Sequence, residues 1–242
     1  MSALAAAPDI EIRVRAEVYA FLSRCIQYPH AAVDCGLLGH VQFDDESLEE
    51  ARIDIVDASA GDLGSLQAGH RVLFPAVESQ DSPSYETAYS RHDVFRQAQV
   101  MADVAGFYGA HGLSVGGSKR DRQDGIGPEL EFMGFVAAKQ VHAAQSGSSD
   151  ASDVCVDTQR IFLRDHLGAW GPEYGRRMAA VSDHAFYIAL GRFLTAWLST
   201  DMERLGVVPL DVDDIAGGTN GQVVPVPDPH VGWDDLNCGG VV

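Results

Sequence analysis

The chain has 242 residues, with 35 acidic side chains against 17 basic ones and a formal net charge of −18. Hydrophobic residues make up 46% of it, enough apolar material for a core, which excludes wholesale disorder. So acidic a chain repels phosphate, which argues against a free-standing nucleic-acid binder.

The first predicted helix runs from about Asp9 to Gln27. Val14, Val18, Phe21, Leu22 and Cys25 recur at helical spacing, and Tyr28-Pro29 stops it. Residues 44–74 read as two helices broken near Ala60-Gly61. Capping groups lie at Asp45 to Ser47, and Leu48, Ile53 and Val56 mark an apolar side. A loop is expected from Pro75 to about Arg91. The next helix spans about Asp93 to His111, with a stripe of Val94, Phe95, Ala98, Met101, Ala105 and Tyr108 and Gly112 placed to end it.

A glycine-rich loop follows from Ser114 to Gly127, and Pro128 sits where a helix favours its first-turn proline. That helix carries Leu130, Phe132, Met133, Val136 and Ala137 and fades at Gly147-Ser148-Ser149. Another runs from about Asp150 to Leu167, and a Trp170-Gly171-Pro172 corner is expected to break it. Two more cover about Glu173–Val181 and Asp183–Leu205, the last with an apolar side of Phe186, Leu190, Phe193, Leu194 and Trp197. The reading is an all-α body over 1–206 and an extended, irregular tail over 207–242, rich in Val, Pro, Gly and Asp. Val224-Pro225-Val226-Pro227 is an extended segment of that tail, suited to occupy a groove of the body.

Aspartate outnumbers glutamate 24 to 11, and there are only two lysines, Lys119 and Lys139. Such a surface stays hydrated in concentrated salt, where charge is screened over about 3 Å at 1 M. A GC-rich genome, which favours arginine over lysine, is the plainer alternative. The four cysteines, Cys25, Cys35, Cys155 and Cys238, form neither a C-x-x-C pair nor a zinc spacing and read as free thiols of a reducing compartment. The opening MSALAAAPDIEIR lacks a signal peptide's basic start, and no apolar run approaches the ~20 residues of a membrane span. The expected location is the cytoplasm, without direct membrane insertion.

Catalytic motifs are missing: no HExxH, GxSxG, P-loop or strand-linked GxGxxG. His166 follows Asp165, an acid that could orient it as a base or ligand. The plainer reading is a helix-end histidine bonded to a carbonyl or placed in the helix dipole. Glu129 and Glu131, two apart on a helix, do not face each other. Glu129 suits a first-turn capping role, and Glu131 the edge of a groove. Phe132 and Met133 are core or, alternatively, part of an adaptable peptide cleft.

Three stretches together resemble the TorD/DmsD/NarJ family of molybdoenzyme maturation chaperones. Leu73-Phe74 followed by Pro83-Ser84-Tyr85-Glu86-Thr87-Ala88-Tyr89 is similar to the family's L-F and P-Y-E-S-x-Y, with a serine inserted. Asp124-Gly125-Ile126-Gly127-Pro128-Glu129-Leu130-Glu131-Phe132-Met133 resembles D-H-I-x-x-E-L-E-F-M. Phe162-Leu163-Arg164-Asp165-His166-Leu167-Gly168-Ala169-Trp170-Gly171-Pro172-Glu173-Tyr174 resembles F-L-x-x-H-L-x-x-W-x-P-x-F. Met101-Ala102-Asp103-Val104-Ala105-Gly106-Phe107-Tyr108 looks like the branch serving nitrate-reductase-like and type II DMSO-reductase-family enzymes. The likeness covers about residues 10–205.

The resemblance implies an all-α, TorD-like fold without catalytic activity, cofactor or metal of its own. The implied partner is the catalytic subunit of a molybdopterin oxidoreductase, bound in precursor form, often at its N-terminal leader. The chaperone holds it for cofactor insertion and, where it is exported, for twin-arginine transport. The client-binding residues expected on this basis are Phe74, Pro83, Tyr85, Glu86, Tyr89, Asp124, Glu131, Met133, His166 and Trp170. Tyr85, Glu86 and Asp124 are expected at the surface, since they sit in or beside loops. Phe132 and Trp170 are expected mostly in the core. The family's Asp-His pair is Asp124-Gly125 here, so recognition at this loop would rest on Asp124 and backbone groups, in a loop made more flexible by glycine. Competing readings are an all-α metal-dependent enzyme using Asp165 and His166, and a permanent accessory subunit of the oxidoreductase. A helix-swapped homodimer stays open.

Overall fold

The computed structural model describes residues 8–75, 81–89, 94–114 and 122–210. Eight α-helices occur among them: α1 Pro8–Ile26, α2 Glu46–Ala58, α3 Leu63–Leu73, α4 Val94–Ala110, α5 Ile126–Gln145, α6 Ser149–Asp165, α7 Leu167–Val181 and α8 Ala185–Leu205. Short 3₁₀ turns cover Gly36–Gly39 and Glu86–Ala88. The described residues contain no strand, only one isolated antiparallel bridge between Tyr85 and Gly125. The all-α body is thus observed. The tail segment Val224-Pro225-Val226-Pro227, with Cys238 and Lys119, lies outside the described residues.

Local signals place most boundaries. The Asp45 side chain accepts from the Leu48 N–H and the Asp62 side chain from Ser65, so each caps a helix start. Gly112 and Gly206 take left-handed backbone (φ 72° and 66°) just past α4 and α8, where a side chain would be strained. α1 packs along α5, α5 on α6, α2 on α8 and α7 on α8.

That last crossing is built from glycine. A Cβ on Gly175 would lie 2.5 Å from Thr195 Oγ1 and 2.7 Å from the Gly191 carbonyl, and one on Gly171 would lie 2.6 Å from Leu198 Cδ1. This packing explains why the expected corner at Trp170-Gly171-Pro172 does not form. α7 runs through Pro172, whose carbonyl accepts from Thr195 Oγ1 on α8. The break falls earlier, at His166, with ψ −102°. There Gly168 tucks against the Leu163 carbonyl, where no side chain fits.

Two apolar stripes also differ from the pattern. In α2 the buried line is Leu48, Ala51 and Ile55, while Ile53 is 46% exposed. In α4 it is, among the described side chains, Val100, Val104 and Tyr108; Ala98 is exposed, Met101 and Ala105 are half-buried, and the side chains of Val94 and Phe95 lie outside the description. Each helix carries apolar residues on two overlapping faces, and the neighbour it packs against decides between them.

A buried ion pair ties the ends of the fold together. Arg15 in α1 donates from Nε to Asp201 Oδ1 (2.6 Å) and from Nη2 to Oδ2 (2.9 Å), and Tyr19 Oη donates to Oδ2 (2.7 Å). Every polar atom of the carboxylate is satisfied, which is what such burial demands. Asp201→Asn leaves Arg15 buried and unpaired. It should cost about 3 kcal/mol, read as a lowered urea midpoint at unchanged m-value.

Candidate functional site

The three stretches that carry the resemblance meet in space. The Pro83–Tyr89 segment is stitched to the loop before α5: the Glu86 N–H donates to the Asp124 carbonyl (2.8 Å) and the Ile126 N–H to the Ser84 carbonyl (2.9 Å). Asp124 is fully buried. Its Oδ2 accepts from Thr87 Oγ1 (2.7 Å), and its Oδ1 from Arg122 Nε (2.9 Å). The Arg122 guanidinium also lies 4.0 Å above the Tyr85 ring.

Glu86 points the other way, into the body. Its carboxylate sits 3.1 and 3.2 Å from His166 Nδ1 at the α6–α7 break. On the far side of the imidazole, Asp103 Oδ2 of α4 is 3.3 Å from Nε2, at ion-pair distance but off the hydrogen-bonding axis. Burial by itself would depress the His166 pKa. Glu86, with Asp103, reverses this and pushes it up to about 10, so the ring is a cation at neutral pH. Trp170 Nε1 donates to Glu129 Oε2 (3.0 Å), and the Trp170 ring packs 5.2 Å from that of Tyr89. Tyr89 in turn donates to the Pro83 carbonyl and lies under the Arg177 guanidinium, 4.9 Å away.

The expected site residues therefore divide. Pro83, Glu86, Asp124, Met133, His166 and Trp170 are buried, and Tyr85 and Tyr89 are half-buried at the surface of the same cluster. Surface exposure of Glu86 and Asp124 is overturned, because both carboxylates are consumed by internal partners. Gly125 is pinned by its bridge to Tyr85, and its φ of −85° needs no glycine. A Cβ there would press to 3.1 Å on the Arg122 carbonyl. Glu131 is exposed elsewhere, on a shallow cleft of about 400 Å³ between α1 and α5 that Phe135, Ala16 and Ala20 also line. Phe74 is half-buried in a third place, stacked 4.4 Å from His70 and edge-on to Tyr187.

Asp165 does not orient His166; it pairs with Arg164. No group of three or more His, Cys, Asp or Glu among the described residues is arranged to hold a metal. Sequence reasoning missed Asp103, Thr87, Arg122 and the burial of Glu129. Asp103 stands in the stretch resembling one family branch, which was the available signal.

An all-helical body whose three separated motifs are knotted at one buried polar cluster defines the class. The chain belongs to the nitrate reductase delta subunit family, whose model matches residues 43–174. It is 26% identical over 155 residues to the chlorate reductase assembly chaperone of Ideonella dechloratans, covering 64% of this chain and 77% of that protein. It is 28% identical over 142 residues to the selenate reductase assembly chaperone of Thauera selenatis, covering 59% and 71%. The match to the perchlorate reductase assembly chaperone of Dechloromonas aromatica (strain RCB) is 28% over 106 residues, 44% of this chain and 46% of that protein. These relatives are named as assembly chaperones, not as catalysts.

The raised pKa of His166 has a fixed sign in stability. Its contribution is complete below the ordinary histidine value of 6.5 and is lost as pH rises toward about 10. His166→Gln should cost about 3 kcal/mol at neutral pH by leaving Glu86 buried and unpaired. The gap to wild type should narrow as pH is raised in parallel urea titrations.

Proposed function

We propose that the chain is a cytoplasmic maturation chaperone for the catalytic subunit of a molybdopterin oxidoreductase. It binds the precursor, at its N-terminal leader, and holds it for cofactor insertion and, if the client is exported, for twin-arginine transport. The observation that carries this reading is the convergence of the three motifs on one cluster, with Tyr85 and Tyr89 at its surface. The buried members, Glu86, Asp124, His166 and Trp170, hold that surface in shape, and the half-buried rings offer the contact. The net negative charge of the chain attracts a cationic leader at low salt. No described helix is long and apolar enough to cross a membrane, which fits a protein that meets its client before export.

The test is a pull-down of tagged protein from its host under anaerobic respiratory growth, followed by titration with the leader peptide of whatever subunit is recovered. A cofactor-free oxidoreductase subunit is the expected catch. Tyr85→Ala should weaken the leader at least tenfold, as loss of an aromatic anchor does, with the urea midpoint little changed. A catch with no oxidoreductase, or a leader that binds wild type and variant alike, overturns the reading. The family's description as a reductase subunit supports one rival, a permanent accessory subunit. That rival requires recovery of the complete, active enzyme. The division into a body over 1–206 and a tail over 207–242 belongs to the same proposal. Removing 211–242 should leave the urea midpoint of the body unchanged.

A further inference from the structure

The cluster holds more acids than cations. Glu86 faces it from the 3₁₀ turn, Asp124 from the loop before α5, Glu129 from α5 and Asp103 from α4. The cations are His166 at the α6–α7 break and Arg122 beside Asp124. Tyr108 of α4 is held as a neutral phenol, its Oη donating to the Gln123 carbonyl. Glu86 and Asp103 both touch His166, and Asp124 touches Arg122. Glu129 touches neither. It is fully buried, its Oε2 accepts from Trp170 Nε1, and its Oε1 has no hydrogen-bond partner. With one hydrogen bond and no cation in contact, a carboxylate buried in that position is favoured as the neutral acid.

We infer that Glu129 is a built-in proton site: it carries a proton in the resting fold, and surrender of that proton releases the Pro83–Tyr89 segment from the body. The connection runs through contacts already in place. Glu129 holds the Trp170 indole, and Trp170 packs on Tyr89. The new anion also stands beside Glu86, the residue that pins the segment to His166. Burial, with Glu86 adding to it, drives the Glu129 pKa in the direction this requires, well above the ordinary carboxylate range. The device belongs to the fold itself and operates whether or not the segment contacts a client.

The sign follows from linkage. Glu129 keeps its proton in the closed state and gives it up readily in the open one. Opening therefore becomes easier as pH rises above the ordinary glutamate value, by about tenfold per pH unit for one proton. Hydrogen exchange of residues 83–89 in the full chain, corrected for intrinsic base catalysis, reads this from mildly acidic to neutral pH. Wild type should show the rise, and Glu129→Gln, which keeps the acceptor for Trp170 and cannot ionise, should have a slope lower by about one proton. Equal slopes overturn the proposal. Isotope-edited infrared spectroscopy is the second readout, independent of segment opening. A protonated carboxyl band should be present at neutral pH in wild type and in Glu131→Gln and absent in Glu129→Gln. Its absence from wild type overturns the proposal as well.

Discussion

The ion pair between Glu86 and His166 is the contact on which the arrangement of this protein's motifs depends. Neither group is stable in the interior alone. A buried carboxylate or imidazolium without a partner costs several kilocalories per mole, on the order of the stability of a whole small domain. The pair removes that cost only if a loop segment and a helix break 80 residues apart in sequence are brought into register. Once they are, the remaining contacts follow over short distances. Thr87 reaches Asp124, Asp124 fixes Arg122, and Arg122 covers Tyr85. A segment with little regular structure of its own thereby acquires a defined place and presents two aromatic rings from it.

The division of labour among the motif residues departs from an intuitive expectation about charged side chains. Acids in loops ordinarily face water. In this protein the loop acids Glu86 and Asp124 face inward, and the aromatic residues between and beside them face partly outward. The polar atoms organise, and the rings are left to make contact. This inverts the pattern of a salt-steered site, in which charge is displayed and apolar surface hidden.

How much of this was legible in the sequence varies with the range of the interaction involved. The α1 and α8 stripes are legible because Val18, Phe21 and Leu22, and Phe186, Leu190, Phe193, Leu194 and Trp197, recur at helical spacing, and all are buried. The caps at Asp45 and Asp62 are equally local. Pro172 misled because its penalty is local, whereas its compensation, close packing of α7 on α8, comes from residues about twenty positions away. The Arg15–Asp201 pair spans 186 positions and has no local signature. The motif residues lay between these cases. Their likeness to a family marked Tyr85, Asp124 and His166 as a group, but not which of them would be buried. Burial depends on whom a side chain meets, and Glu86 meets His166 only in the folded chain.

The glycine-lined crossing of α7 and α8 has a mechanical consequence. Side-chain interfaces yield when rotamers change; a contact made backbone to backbone, as between Gly175 and Gly191, offers no such compliance. The two helices therefore move as one rigid body. Trp170 and the residues that follow it in α7 are part of that body, while Glu86 and Tyr89 sit across a polar boundary from it. The seam between this inelastic hairpin and the Pro83–Tyr89 segment is made instead of side-chain contacts, Glu86 to His166 and Tyr89 to Trp170, which can yield by a change of rotamer.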